Sequence, residues 1–92
     1  MKVIKKDGTI EQFDGQKIVN AVSKSAARAM IELDDTQYHE IVSKVMAIVT
    51  ERFPEQVHVA DMHNIVEQVL DEVNPKIAKS YRDYRNFKKD FV

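Results

Sequence analysis

Cysteine is absent from the 92 residues of this chain. Without thiols there are no disulfides, no thiolate metal sites, no cysteine nucleophile and no thiol redox chemistry. Glycine occurs only at Gly8 and Gly15. Phosphate loops of the G-x-x-x-x-G-K kind and dinucleotide turns of the G-x-G-x-x-G kind need more glycines at closer spacing, so both are excluded. Any phosphate held here must be held by ammonium groups and helix ends. Long apolar runs are missing as well: nothing approaches the roughly 20 residues of a membrane span. Neither a membrane segment nor a secretory signal is expected, and a cytoplasmic setting follows as the expectation.

What is present has the balance of an ordinary globular domain, 43% hydrophobic and 32% charged. The length allows one domain over residues 1–92 and no second core. A domain of this size buries roughly 60–65% of its unfolded surface, enough to fold alone with a modest margin. The net charge of −1 speaks against strong non-specific nucleic-acid binding. Yet the charge is segregated. Residues 1–30 carry six bases against three acids, residues 31–74 two against ten, and residues 75–92 six against two. Two basic ends flank an acidic middle. If the ends meet they form a positive patch; otherwise the pattern is variation along solvated helix faces.

Val3 to Phe13 reads as a β-hairpin turning at Asp7-Gly8, where both residues tolerate positive φ. A two-residue loop sets Lys5 opposite Ile10. One further loop residue sets Lys5 opposite Glu11 and Val3 opposite Phe13, all on one face, and this pairing of like with like is preferred. Asp14 is placed as the N-cap of a helix from about Gly15 to Ile31, whose buried stripe is Ile18, Val22, Ala26, Ala29 and Met30. Asp34 with Gln37 forms a capping-box pattern for a second helix reaching about Phe53, stopped by Pro54. Its inward residues are Tyr38, Ile41, Val42, Val45, Ile48 and Val49. Val57-His58-Val59 offers a short third strand. A third helix, about Asp61 to Val73, has the stripe Met62, Ile65, Val66, Val69, Leu70 and Val73. Asn74-Pro75 is an N-cap followed by proline at the first helical position. The last helix turns Ile77, Tyr81 and Tyr84 inward and runs to the C-terminus. The order predicts an α+β fold: a four-helix bundle capped by a small three-stranded sheet.

Few residues suggest chemistry. The hairpin leads directly into the first helix, so Lys5, Lys6 and Lys17 come near one another beside a helix N-terminus, whose unpaired N–H groups favour an anion. That arrangement suits a polyphosphate; lysines at hairpin tips also serve solubility and edge protection. Lys88 interrupts the seam Ile77, Tyr81, Tyr84 and Phe91, either as a snorkelling terminal lysine or as a further cation at the mouth of the bundle. Glu11 can accept from a nucleobase amino group or a sugar hydroxyl, although pairing with Lys5 is the simpler role. Phe13 and Phe53 can wall a base or belong to the core. His39, His58 and His63 lack a metal-ligand spacing, and His63 fits a half-buried, hydrogen-bonded histidine. The serines and carboxylates form no catalytic constellation, so no enzyme activity is expected.

The opening Val3-Ile-Lys5-Lys6-Asp7-Gly8-x-x-Glu11-x-Phe13-Asp14-x-x-Lys17-Ile18 closely resembles the ATP-cone domain. The likeness continues through Phe53 to Val73 and ends in Ile77-Ala78-x-x-Tyr81-x-x-Tyr84-Arg85. The resemblance implies the same bundle and cap. It also implies a switch in which ATP or dATP, with Mg²⁺ as the accompanying ion, controls the activity and oligomeric state of a ribonucleotide reductase. Carried over by position, Val3, Phe13 and Ile18 line the base pocket, and Lys5, Lys6, Lys17 and Lys88 face the phosphates. Glu11 and Asp14 take polar contacts, with Phe53 and His63 near base and sugar. The implied partners are an adenine nucleotide, the catalytic part of a reductase and a possible second copy. Many cones carry a small hydroxyl residue before the third helix, where this chain has Val59-Ala60, leaving Asp61 or nothing to cap it.

The opening looks most like the anaerobic, glycyl-radical reductases, and an isolated regulatory domain is the expected setting. The family's repressors carry a cysteine zinc ribbon ahead of the cone, so a repressor is not expected. The alternative is an interaction module that uses the basic last helix, where Arg82, Arg85, Lys88 and Lys89 alternate with Tyr81, Tyr84 and Phe87. Net charge and the missing recognition-helix turn weigh against nucleic acid as its partner.

Overall fold

The computed structural model describes residues 1–87, with side chains described through Asp83. Strands β1 (Lys2–Ile4) and β2 (Ile10–Gln12) form the hairpin, followed by helices α1 (Gly15–Arg28) and α2 (Asp35–Arg52). Strand β3 (Gln56–His58) passes directly into α3 (Val59–Val73), and α4 (Pro75–Phe87) completes the described chain. The fold is α+β, four helices with a small mixed sheet, as the sequence pattern predicts. Sheet order is β2-β1-β3, with β1 antiparallel to β2 and parallel to β3. The predicted run of the last helix beyond Phe87, and the inward placement of Tyr84, lie outside what is described.

Hairpin register departs from both sequence-based alternatives. Val3 stands opposite Glu11, Ile4 opposite Ile10 and Lys2 opposite Gln12. The loop does contain an extra residue, but it is Lys6, before Asp7-Gly8 rather than after. Gly8 N–H donates to the Lys5 carbonyl at 2.9 Å, and Gly8 takes φ +88°. This is the three-residue loop in which glycine supplies the left-handed position. Asp7 Oδ1 fixes it by accepting from the Thr9 N–H at 3.0 Å and the Thr9 hydroxyl at 2.6 Å. These bonds hold the Asp7 carboxyl below its ordinary pKa. Because the slip from the preferred register is two residues, its side-chain facing is preserved. Val3, Lys5 and Glu11 still share one face, with Lys5 and Glu11 now diagonal neighbours.

Helix ends follow the caps. Asp14 accepts from the Gln16 N–H, and Asp34 and Gln37 make a reciprocal capping box. Helix α1 ends three residues earlier than its apolar stripe suggests. Ile31 N–H reaches back to the Ala26 carbonyl and Met30 N–H to that of Ala27, a Schellman closure with Met30 in the left-handed position at φ 59°. The closure turns Met30 out to 93% exposure, whereas the stripe placed it inside; Ser25 is buried instead. Helix α3 starts two residues earlier than expected. Its cap is neither Asp61 nor missing: His58 Nδ1 accepts from the Ala60 N–H at 3.1 Å.

The core joins Ile18, Val22 and Ala26 of α1, Ile41, Val45 and Val49 of α2, the α3 stripe and Ile77, Ala78 and Tyr81 of α4. Helix α3 packs against both α2 and α4, and α1 packs against α4. The Ser80 hydroxyl donates to the Ser25 carbonyl at 2.7 Å, tying α4 to α1. Among the described residues, every buried side-chain polar atom has a hydrogen-bond partner.

Candidate functional site

The odd-numbered face of the hairpin overhangs the N-terminal halves of α1 and α3. Between them lies a cleft of about 440 Å³, within the usual range for small-molecule sites. Val3, Phe13, Ile18, Val59, Met62, Val66 and Tyr81 give it an apolar lining, and Lys5, Glu11, Asp14, Lys17, Asn20 and Lys24 bring polar groups to it. His63 also lines it, with its ring edge-on to Tyr81 at 6.3 Å between centroids.

The charged groups are already organised. Lys17 Nζ donates to Glu11 Oε1 at 2.6 Å, and Lys5 Nζ lies 3.6 Å from Glu11 Oε2. One carboxylate therefore bridges two ammonium groups. The Lys17 hydrogen bond is the first cause holding the Glu11 carboxyl below its ordinary pKa, and the charges of Lys17 and Lys5 act in the same direction against some desolvation. Asp14 lies in the cleft wall while its Oδ1 caps α1.

Of the residues named from sequence, Val3, Lys5, Glu11, Phe13, Asp14, Lys17, Ile18 and His63 line this one cleft. Lys6 and Phe53 do not. Lys6 is exposed in the hairpin loop, where the shorter first strand puts it beyond the sheet. Phe53 ends α2 as its C-cap and packs half-buried against the core. Lys88 lies outside the described residues. The third lysine of the cleft is Lys24 rather than Lys6. A signal for it exists in sequence: Lys17, Asn20, Ala21 and Lys24 recur at helical spacing beside the buried stripe. Gln12, Val59, Met62, Val66 and Tyr81 also line the cleft; their apolar members read only as core from periodicity.

No grouping of three or more His, Asp or Glu suited to a metal ion occurs among the described residues. Nor is any described helix long and apolar enough to cross a membrane. Arg82 of the basic last helix is bound to Glu67 and lies 3.5 Å from Asp71, which spends its charge on α3. The hydrogen bond that Arg82 donates to Glu67 is the leading cause of its raised pKa.

Fold and cleft together define a small α+β domain whose sheet roofs a partly charged cavity on a helical bundle. Residues 1–90 match the ATP cone domain family, and the chain belongs to that family. ATP cones are nucleotide-binding regulatory domains, not catalytic ones. The chain is 31% identical over 85 residues to an anaerobic ribonucleoside-triphosphate reductase of Haemophilus influenzae, covering 91% of this chain and 12% of that protein. It is 30% identical over 88 residues to the transcriptional repressor NrdR of Streptococcus suis, covering 91% of this chain and 53% of that protein. The NrdR of Streptococcus pyogenes serotype M5 is also 30% identical over 88 residues. The chain thus spans about half the length of the repressors and a small part of the reductase. Similarity runs to both kinds of protein, so the sequence-based preference for a reductase over a repressor is not decided by it.

Proposed function

We propose that this chain is an allosteric module that binds ATP or dATP in the cleft and sets the activity and oligomeric state of a ribonucleotide reductase, with no catalysis of its own. The observation that carries this reading is the meeting of an apolar lining with Lys5, Lys17 and Glu11 beneath the hairpin of a chain matched to the ATP cone over residues 1–90. Adenine packs among Val3, Phe13 and Ile18. The ammonium groups of Lys5 and Lys17 take phosphate oxygens, which releases Glu11 for a polar group of the nucleoside. Asp14 and His63 flank the sugar. Mg²⁺ travels with the phosphates rather than on a protein site of its own.

Regulation is a difference of affinities: the nucleotide binds one assembly better and shifts the population toward it. ATP and dATP differ by one hydroxyl. A buried polar group left unpaired by its absence costs about 1–3 kcal/mol, roughly a 5–150-fold preference.

Calorimetric titration with ATP, dATP and GTP in Mg²⁺ tests the reading. Micromolar binding of both adenine nucleotides, lost in a folded Lys5→Ala/Lys17→Ala double variant, is the expected result. Unchanged affinity in that variant would remove the site. The repressor relatives favour a second reading, in which the same cleft serves a transcriptional repressor. Nucleotide-dependent change in reductase activity, against nucleotide-dependent change in DNA binding, separates the two.

A further inference from the structure

We propose that Lys24 is an anion-holding residue of the cleft, and that the phosphate end of a bound nucleotide extends along α1 to reach it. The inference rests on the nucleotide-binding reading above.

At the hairpin end, Lys5 and Lys17 share the Glu11 carboxylate, and Asp14 adds a second negative charge. Two cations there stand beside two anions, so that end carries no net charge. Among the described residues, Lys24 is the remaining cation of the cleft wall, and no carboxylate pairs with it. Among the described residues, the net positive charge of the cavity wall therefore resides at Lys24.

Position supports the same assignment. Lys24 follows Lys17 by two helical turns on one face of α1, about 10 Å along the axis. Asn20 stands between them in the same wall, its side-chain oxygen fixed by Gln16 Nε2 at 3.0 Å. A phosphate reaching Lys5 or Lys17 meets an ammonium group already paired with Glu11, whose negative charge opposes it. One reaching Lys24 gains a pair and breaks none. The apolar surface of Met62 and Val66 in the same cavity limits solvent screening of that charge.

Calorimetry with three probes tests this: ATP, inorganic tripolyphosphate and adenosine, titrated into the unaltered chain, Lys24→Ala and Lys24→Arg. Lys24→Ala is expected to bind ATP and tripolyphosphate about three- to tenfold more weakly, with a smaller loss at high salt. Adenosine binding stays unchanged, and Lys24→Arg restores the phosphate probes. Lys24 is exposed, so the fold survives either substitution. Equal affinity of the unaltered and Lys24→Ala chains for ATP and tripolyphosphate would overturn the proposal, as would an equal loss for adenosine. ATP binding that ignores Lys24 leaves the nucleotide reading standing. Lys24-dependent tripolyphosphate binding with no gain from the adenosine moiety supports the anion site and sinks the nucleotide reading. Failure of the unaltered chain to bind either phosphate probe overturns both.

Discussion

Lys17 of α1 donates to Glu11 of β2 at 2.6 Å, across the corner where the hairpin feeds the first helix. The second oxygen of the same carboxylate faces Lys5, just past the end of β1, at 3.6 Å. One acid thus holds together the three elements that form the mouth of the cleft, and it occupies the two ammonium groups a phosphate would use.

Removing that competitor should free both lysines. Glu11→Gln is expected to bind inorganic tripolyphosphate about two- to fivefold more tightly than the unaltered chain, the scale of exposed ion pairs. Calorimetric titration at fixed ionic strength measures it. Weaker binding by Glu11→Gln would show that the carboxylate positions the lysines rather than competing for them.

Acid should act first on the hairpin. The Asp7 and Glu11 carboxyls are both held below their ordinary values, so the folded chain binds these protons less readily than the unfolded one. Their stabilisation is complete above the unfolded carboxylate values near ~4 and is lost as pH falls through the lower folded values. Thermal unfolding from pH 7 to pH 3 should therefore show a smaller acid loss in Glu11→Gln than in the unaltered chain. Parallel curves would assign the acid sensitivity to other groups.

Met30 holds a left-handed backbone at 93% exposure. It surrenders almost no packing there and bears the steric cost that glycine avoids. Met30→Gly should stabilise the chain by about 0.5–1 kcal/mol, after the entropy glycine adds to the unfolded state. Denaturant unfolding would show a higher midpoint at unchanged slope. A lower midpoint would mean that the methionine side chain makes contacts worth more than its strain.

The capping box at α2 gives a change of opposite sign. Asp34→Ala removes the acceptor of the Gln37 N–H and should cost about 1 kcal/mol. Asp34→Ser should recover most of that loss in the same denaturant experiment.

Features set by neighbours along the chain were legible in the sequence. Asp14, the Asp34–Gln37 box, Asn74-Pro75 and the stripes of α2 and α3 depend on residues three or four positions apart. Much of the cleft was legible for the same reason: an alternating strand face and the first turns of the following helix bring their side chains together. Features decided by competition between near-equal geometries were not. Moving the extra loop residue from one side of Asp7-Gly8 to the other changes the register without changing which side chains share a face. Met30 continues an apolar stripe, but the backbone closes the helix before it. Pattern alone does not single out Lys24, because a lysine beside a buried stripe reads equally well as a solvated face, and only the overhanging hairpin turns that flank into a cavity wall.

Strand β1 sits between β2 and β3, and β3 runs without a linker into the first turn of α3. The roof over the cleft and the wall carrying Val59, Met62 and His63 are therefore joined through a single stretch of hydrogen-bonded backbone. A ligand that wedges the hairpin upward pulls on the ladder from β1 to β3 and so on the start of α3. The position of the cap is thereby coupled through continuous backbone to the helix that packs against both α2 and α4.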